Sequence, residues 1–169
     1  MRRLLDGLFD GAAALAALCM VALLVMVMLS VTGRLLHFHL PGTDAYAGYL
    51  MAGAGFLALA HTLKRGEHIR VTLLLGTLSG RAKHVLELWA LGASAALAGL
   101  LAVYSARLAW QSHTFNDIST SNDATPLWLP QLVMAAGTLI LLIALLDEWV
   151  LEWRGLRVAT VSDEMLHNE

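Results

Sequence analysis

The chain of 169 residues carries one cysteine, three prolines and little charge: Asp, Glu, Lys and Arg together make up only 14%. Each scarcity excludes something. With Cys19 alone no intrachain disulfide can form, so cysteine usage gives no redox compartment. No proline falls in the middle of an apolar run, so none interrupts a helix there. The charge is too sparse for the surface of a water-soluble domain, and 11 basic against 13 acidic residues offer no basic face for nucleic acid. Hydrophobic residues fill the chain instead, at 58%. That is the composition of a membrane protein.

Stretches free of Asp, Glu, Lys and Arg cover 11–33, 45–63, 88–106 and 124–146, with lengths of 23, 19, 19 and 23 residues. Each can cross a hydrocarbon core of roughly 30 Å as a helix rising about 1.5 Å per residue. Backbone amides in lipid must be satisfied within the segment, and no ten-residue alternation of the barrel type is present. The expected fold class is therefore an all-α integral membrane protein with four transmembrane helices. They form one domain, 1–155, with spans near 11–33, 45–63, 88–106 and 126–146 and a polar tail at 156–169. The alanines near residue 15 offer a signal-peptidase pattern, but the apolar run continues through CMVALLVMVMLSV, which favours a retained first span.

Basic residues set the expected orientation. With the N-terminus inside, nine of the 11 Lys and Arg residues fall on the cytoplasmic side and only Arg34 and Arg107 remain outside. Both termini and the connection between spans 2 and 3 are then cytoplasmic. That connection opens with HTLKRGEHIRV, whose cations suit anionic headgroups. Beyond it Val71, Leu74, Leu75, Leu78, Ala82 and Val85 recur with helical period, which predicts an amphipathic helix over 71–85 lying in the interface, broken or bent at Ser79-Gly80.

The outer connections are a short turn at Pro41-Gly42 and a longer Ser-, Thr-, Asn- and Asp-rich loop over 107–125. Thr125-Pro126 reads as a helix start, threonine as N-cap and proline at the first helical position. Trp110, Trp128, Trp149 and Trp153 lie near span ends as interfacial anchors. Small residues repeat at Gly48, Ala52 and Gly55 in span 2 and at Gly92, Ala96 and Gly99 in span 3. Such stripes let helix backbones approach closely, and packing inside the chain is the expected use.

The spans contain no carboxylate and no charged pair, which excludes the moving, substrate-binding part of a transporter and counts against a small-drug exporter. A haem-anchoring bundle needs axial histidines within the spans, and of seven histidines only His61 lies in one, near its cytoplasmic end. His37 and His39 lack a third ligand nearby, and Glu67-His68 lacks the second histidine of a metalloprotease helix. No catalytic, metal or cofactor-binding residue is assigned.

The order of features resembles the small membrane subunit, DctQ-like, of the tripartite ATP-independent periplasmic (TRAP) transporters. Gly33-Arg34 closes span 1, a Pro41 turn precedes an acidic residue, FLALAHTLKRGEHIRV carries an R-G-E-H-I-R core, and TPLWLPQ opens span 4. The likeness runs from about residue 5 to 155. One departure is Thr43-Asp44, where the family is associated with glutamate. The resemblance implies a fixed scaffold in a bacterial inner membrane. Its implied partners are a large permease subunit holding the sodium and substrate sites and a periplasmic binding protein that delivers a small organic acid. No cofactor is implied in this chain, and sodium belongs to the partner. Arg65, Gly66, Glu67, His68 and Arg70 are then expected to shape the cytoplasmic turn for assembly. Arg107, His113, Asn116, Asp117, Asn122 and Asp123, with Asp44 beside them, are candidates for contact with the binding protein. The alternative kept is a membrane anchor subunit of a haem-containing redox complex.

Overall fold

The computed structural model describes residues 2–38, 41–65, 81–121 and 123–155. Four helices account for most of them: α1 (Arg2–Leu35), α2 (Thr43–Lys64), α3 (Arg81–Thr114) and α4 (Trp128–Trp153). Three, over Leu5–Leu35, Arg81–Thr114 and Trp128–Trp153, are long and apolar enough to cross a membrane. The shorter α2 is diluted by Tyr46, Tyr49, His61, Thr62 and several glycines. Every helix extends past its charge-free stretch at one end or both. Residues 81–85, expected in an interfacial helix, are the first turn of α3, and 71–80 lie outside the described residues.

Helix ends follow local chemistry. The α1 terminus closes with a Schellman pattern: the Phe38 amide donates to the Gly33 carbonyl at 3.0 Å, and His37 takes the left-handed conformation at φ 57°. The end of α3 repeats it, with Asp117 N–H on Ser112 O at 2.9 Å and Asn116 at φ 52°. Gly155, at φ 64°, ends α4, its amide on Glu152 O at 3.0 Å. Asparagine and glycine tolerate that conformation best, which is why the chain stops helices there.

The start of α4 corrects the sequence expectation. Its N-cap is Leu127, and Thr125-Pro126 stays outside the helix. Pro126 forms an isolated antiparallel bridge with Ile118, the Ser119 amide donates to Thr125 O at 2.8 Å, and the Leu127 amide donates to Asp117 O at 3.0 Å. The Thr125 hydroxyl, which would have capped the helix, lies 3.0 Å from the Tyr46 hydroxyl. A tertiary partner outcompetes the local cap.

The helices lie in a row, α1–α2–α4–α3, each packed on its neighbour, with α1 barely reaching α4. The seam on α3 is Leu91, Ala95, Ala98, Ala102, Ser105, Ala109 and Ser112, all buried, at alternating steps of four and three. That is coiled-coil spacing with small residues in the knob positions, so α3 settles close to α4. On α2 the buried face is Gly53, Ala54, Leu57, Ala60 and Leu63. A Cβ at Gly137 of α4 would fall 2.7 Å from the Phe56 carbonyl, so α2 and α4 touch backbone to backbone there. Two buried hydroxyls bond back to their own helices, Ser105 to Leu101 O at 2.6 Å and Thr138 to Ala135 O at 3.0 Å, so neither hydrogen faces apolar neighbours.

The expected use of the small-residue stripes fails for α2. Gly48, Ala52 and Gly55 are exposed, and nothing lies within 4 Å of a Cβ built on either glycine. The buried face runs through Gly53 and Leu57 instead. On α3 the expectation is met in part: Gly92 lies against Trp149 and Gly99 against Leu142, while Ala96 is exposed.

Candidate functional site at the two polar ends of the row

At one end, where α1 begins and α4 ends, each adjacent pair of helices is joined by a polar contact. His61 Nδ1 of α2 lies 3.5 Å from Asp10 Oδ1 of α1. Lys64, the last residue of α2, donates to Asp147 and, at 3.1 Å, to Glu148 Oε1 of α4. Its ammonium also stands 5.5 Å from the centre of the Phe9 ring, a cation–π distance. His84 Nδ1 of α3 is 2.8 Å from Glu152 Oε1, on a residue only 7% exposed. These contacts cap the tightest part of the core, built from Phe9, Ala60, Leu63, Leu91, Ala95, Ala98, Ala144 and Leu145. Low solvent access strengthens the Lys64 contacts and raises the penalty for breaking them, whereas Asp10, 76% exposed, leaves the His61 contact open to water.

This network was missed in the sequence because topology was counted on cations alone. The signal was present: Asp147, Glu148 and Glu152 follow span 4 directly, an acidic turn on the face that otherwise collects positive charge. Of the turn motif expected to serve assembly, Arg65 is exposed and its amide closes α2 on His61 O at 3.0 Å. Gly66, Glu67, His68 and Arg70 lie outside the described residues.

At the opposite end the α3–α4 loop is fastened across the start of α2. The Tyr49 hydroxyl lies 3.0 Å from Ser119 Oγ and donates to Asp123 Oδ2 at 3.2 Å. Tyr46 packs edge-on to Tyr49 at 6.0 Å, its hydroxyl 3.0 Å from that of Thr125. Asp123 also sits against Gly42, where a Cβ would approach its own Cβ to 2.8 Å and where φ is 84°. Hydrogen bonding from Thr125 first, then Ser119, its own backbone and Tyr49, outweighs burial and holds the Asp123 carboxyl below the usual aspartate range.

The candidate contact residues therefore divide. Arg107 belongs to α3, which continues to Thr114, and lines a shallow groove with Leu101, Tyr104 and Met134. His113, in the last turn of α3, packs edge-on to Trp128 at 5.4 Å. Asp123 is turned inward as a fastener. Asn116 and Asp117 are exposed at the α3 terminus, and Asn122 is outside the described residues. Asp44 stands apart on α2, exposed, 3.7 Å from Arg34 and accepting from Ser30 at 3.2 Å. Among the described residues no group of three or more His, Cys, Asp or Glu side chains could hold a metal ion.

A row of apolar helices, tied at both ends and carrying its charge outside the apolar stretches, defines a helical membrane protein with a structural polar network. Residues 23–155 match the family described as Tripartite ATP-independent periplasmic transporters, DctQ component. The chain belongs to that family, whose members are small membrane components of TRAP transporters. No curated protein and no solved structure gives a significant match.

Proposed function

We propose that the chain is the fixed scaffold of its transporter. In this reading it enlarges the stationary part against which the large subunit moves sodium and a small organic acid, delivered by a periplasmic binding protein. Family membership supplies the class of complex. The observation that carries the scaffold role is the row itself, one helix thick, with polar contacts joining neighbours at one end and a fastened loop at the other. Leu18, Leu24, Met51, Leu97 and Val103 are exposed along it, leaving apolar faces for lipid and for a membrane partner. The polar contacts span helix pairs that a moving element would have to separate. The haem-anchor alternative has no support here: His61 and His84 face Asp10 and Glu152 at the end of the row.

The test is co-expression of this chain, tagged, with the large permease subunit, followed by reconstitution with sodium and the binding protein. Co-purification and sodium-driven uptake that stops when this chain is omitted are expected. Full-rate uptake by the large subunit alone would overturn the scaffold reading. Contact with the binding protein is best tested at Asp117, since reversing Asp123 would also unfasten the loop. Asp117→Lys should weaken the dependence of uptake on binding-protein concentration at low salt, while the two membrane subunits still co-purify. An unchanged dependence would remove this loop from the docking surface.

A further inference from the structure

Between the end of α1 and the start of α2 lies a cavity of about 230 Å³, lined among others by Leu29, Ser30, Arg34, Phe38, Asp44 and Ser121. It holds one cation and one anion side by side. Arg34 and Asp44 are 3.7 Å apart, and their side chains are 78% and 81% exposed. So exposed a pair gains little from its own contact and opens at little cost. Arg34 directly follows the 23 charge-free residues of the first apolar run, which places the cavity at headgroup level, with Leu29 and Phe38 of its lining exposed.

We propose that this cavity binds the headgroup of a zwitterionic phospholipid bearing a primary ammonium, with phosphate on Arg34 and ammonium on Asp44. The guanidinium matches phosphate geometry, and the carboxylate, already held by the Ser30 hydroxyl, accepts an N–H from the ammonium. Exposed Leu29 and Phe38 take the upper acyl chains. A purely anionic headgroup meets repulsion from Asp44, and a quaternary ammonium has no N–H to donate. The cavity is too small for an extended organic ligand and carries exposed Leu29 and Phe38 in its lining, which fits a headgroup whose tail stays in the bilayer. The site requires only that the chain sits in a membrane, and stands apart from the scaffold reading.

The test uses the full chain in nanodiscs of equal phosphatidylethanolamine, phosphatidylglycerol and phosphatidylcholine, with retained lipid read by native mass spectrometry. Retention of phosphatidylethanolamine about fivefold above either competitor is expected. Asp44→Asn should erase the preference over phosphatidylglycerol, and Arg34→Gln should reduce retention of both. Lys83→Gln, an exposed charge at the other end of the row, should leave the ratios unchanged. Helicity by circular dichroism confirms that each variant is folded. Equal retention of the three lipids, or ratios unmoved by Asp44→Asn, would overturn the proposal. Soluble phosphoethanolamine at millimolar concentration should fail to displace the lipid; efficient displacement would instead assign the cavity to a water-borne ligand.

Discussion

Gly137 stands where α4 meets the backbone of Phe56, and even a methyl group there would lie 2.7 Å from carbonyl atoms that have nowhere to go. Gly137→Ala should therefore cost about 1–3 kcal/mol, the usual penalty of overpacking, read as a lower unfolding midpoint in detergent. Gly55→Ala, with nothing near its Cβ, should not lower the midpoint. Lys64 carries the other residue-scale prediction. Its ammonium serves two carboxylates, with side chains 28% and 14% exposed, so Lys64→Gln leaves two like charges facing one another. A loss of about 1–3 kcal/mol is expected. Combining it with Asp147→Asn should restore part of that loss, and strict additivity in this double-mutant cycle would show that the two side chains do not interact.

At the scale of elements, the fastened loop has a definite acid dependence. Because its partners hold Asp123 below the ordinary aspartate value, the carboxylate stabilises the loop at every pH above that value. The contribution fades as pH falls past about 3.9 and is lost below the lowered folded value. Amide protection over residues 117–127 should hold from neutral pH down to that range and then drop, whereas Asp123→Asn should show weaker protection without the acid step. The α3 seam makes a second test: Ala98→Leu, inside it, should cost about 1–3 kcal/mol, and Leu97→Ala, on the exposed face, close to nothing. The seam also shows where sequence reading stops. Spans were legible because charge is so expensive in lipid that its absence draws their outlines. Facing was not, because a helix apolar on every side gives no contrast between lipid and neighbour. Gly92, Ala96 and Gly99 lie one position along from Leu91, Ala95 and Ala98 with the same four-and-three spacing, and only the continuation of the latter through Ala102, Ser105, Ala109 and Ser112 separates them. At the Tyr49 end the polar residues were visible, but not that Asp123 and Thr125 would turn toward two tyrosines some seventy to eighty positions away.

The whole molecule carries the orientation expectation, with both termini and the 64–87 segment cytoplasmic and the segments around 35–44 and 107–123 outside. Single cysteines at Thr120 and Lys83, both exposed, in a Cys19→Ala background can be probed with an impermeant thiol reagent on cells stripped of any outer barrier. Labelling at position 120 without labelling at 83 is expected. The reverse pattern would invert the protein in the membrane. Ser112 is only 3% exposed and would report burial in place of sidedness.

The row also bears on how such a chain is made. Its contacts sort into two hairpins, α1 with α2 and α3 with α4, each between helices consecutive among those described, joined through α2 and α4. Each hairpin closes over a short stretch of chain, so little loop entropy is lost before packing rewards it. During synthesis the first hairpin can insert and pair while the second is still in the ribosome, and the two then dock side by side as preformed units. The glycine at position 137 is thus a latch that engages late, fitting one finished half of the molecule onto the other.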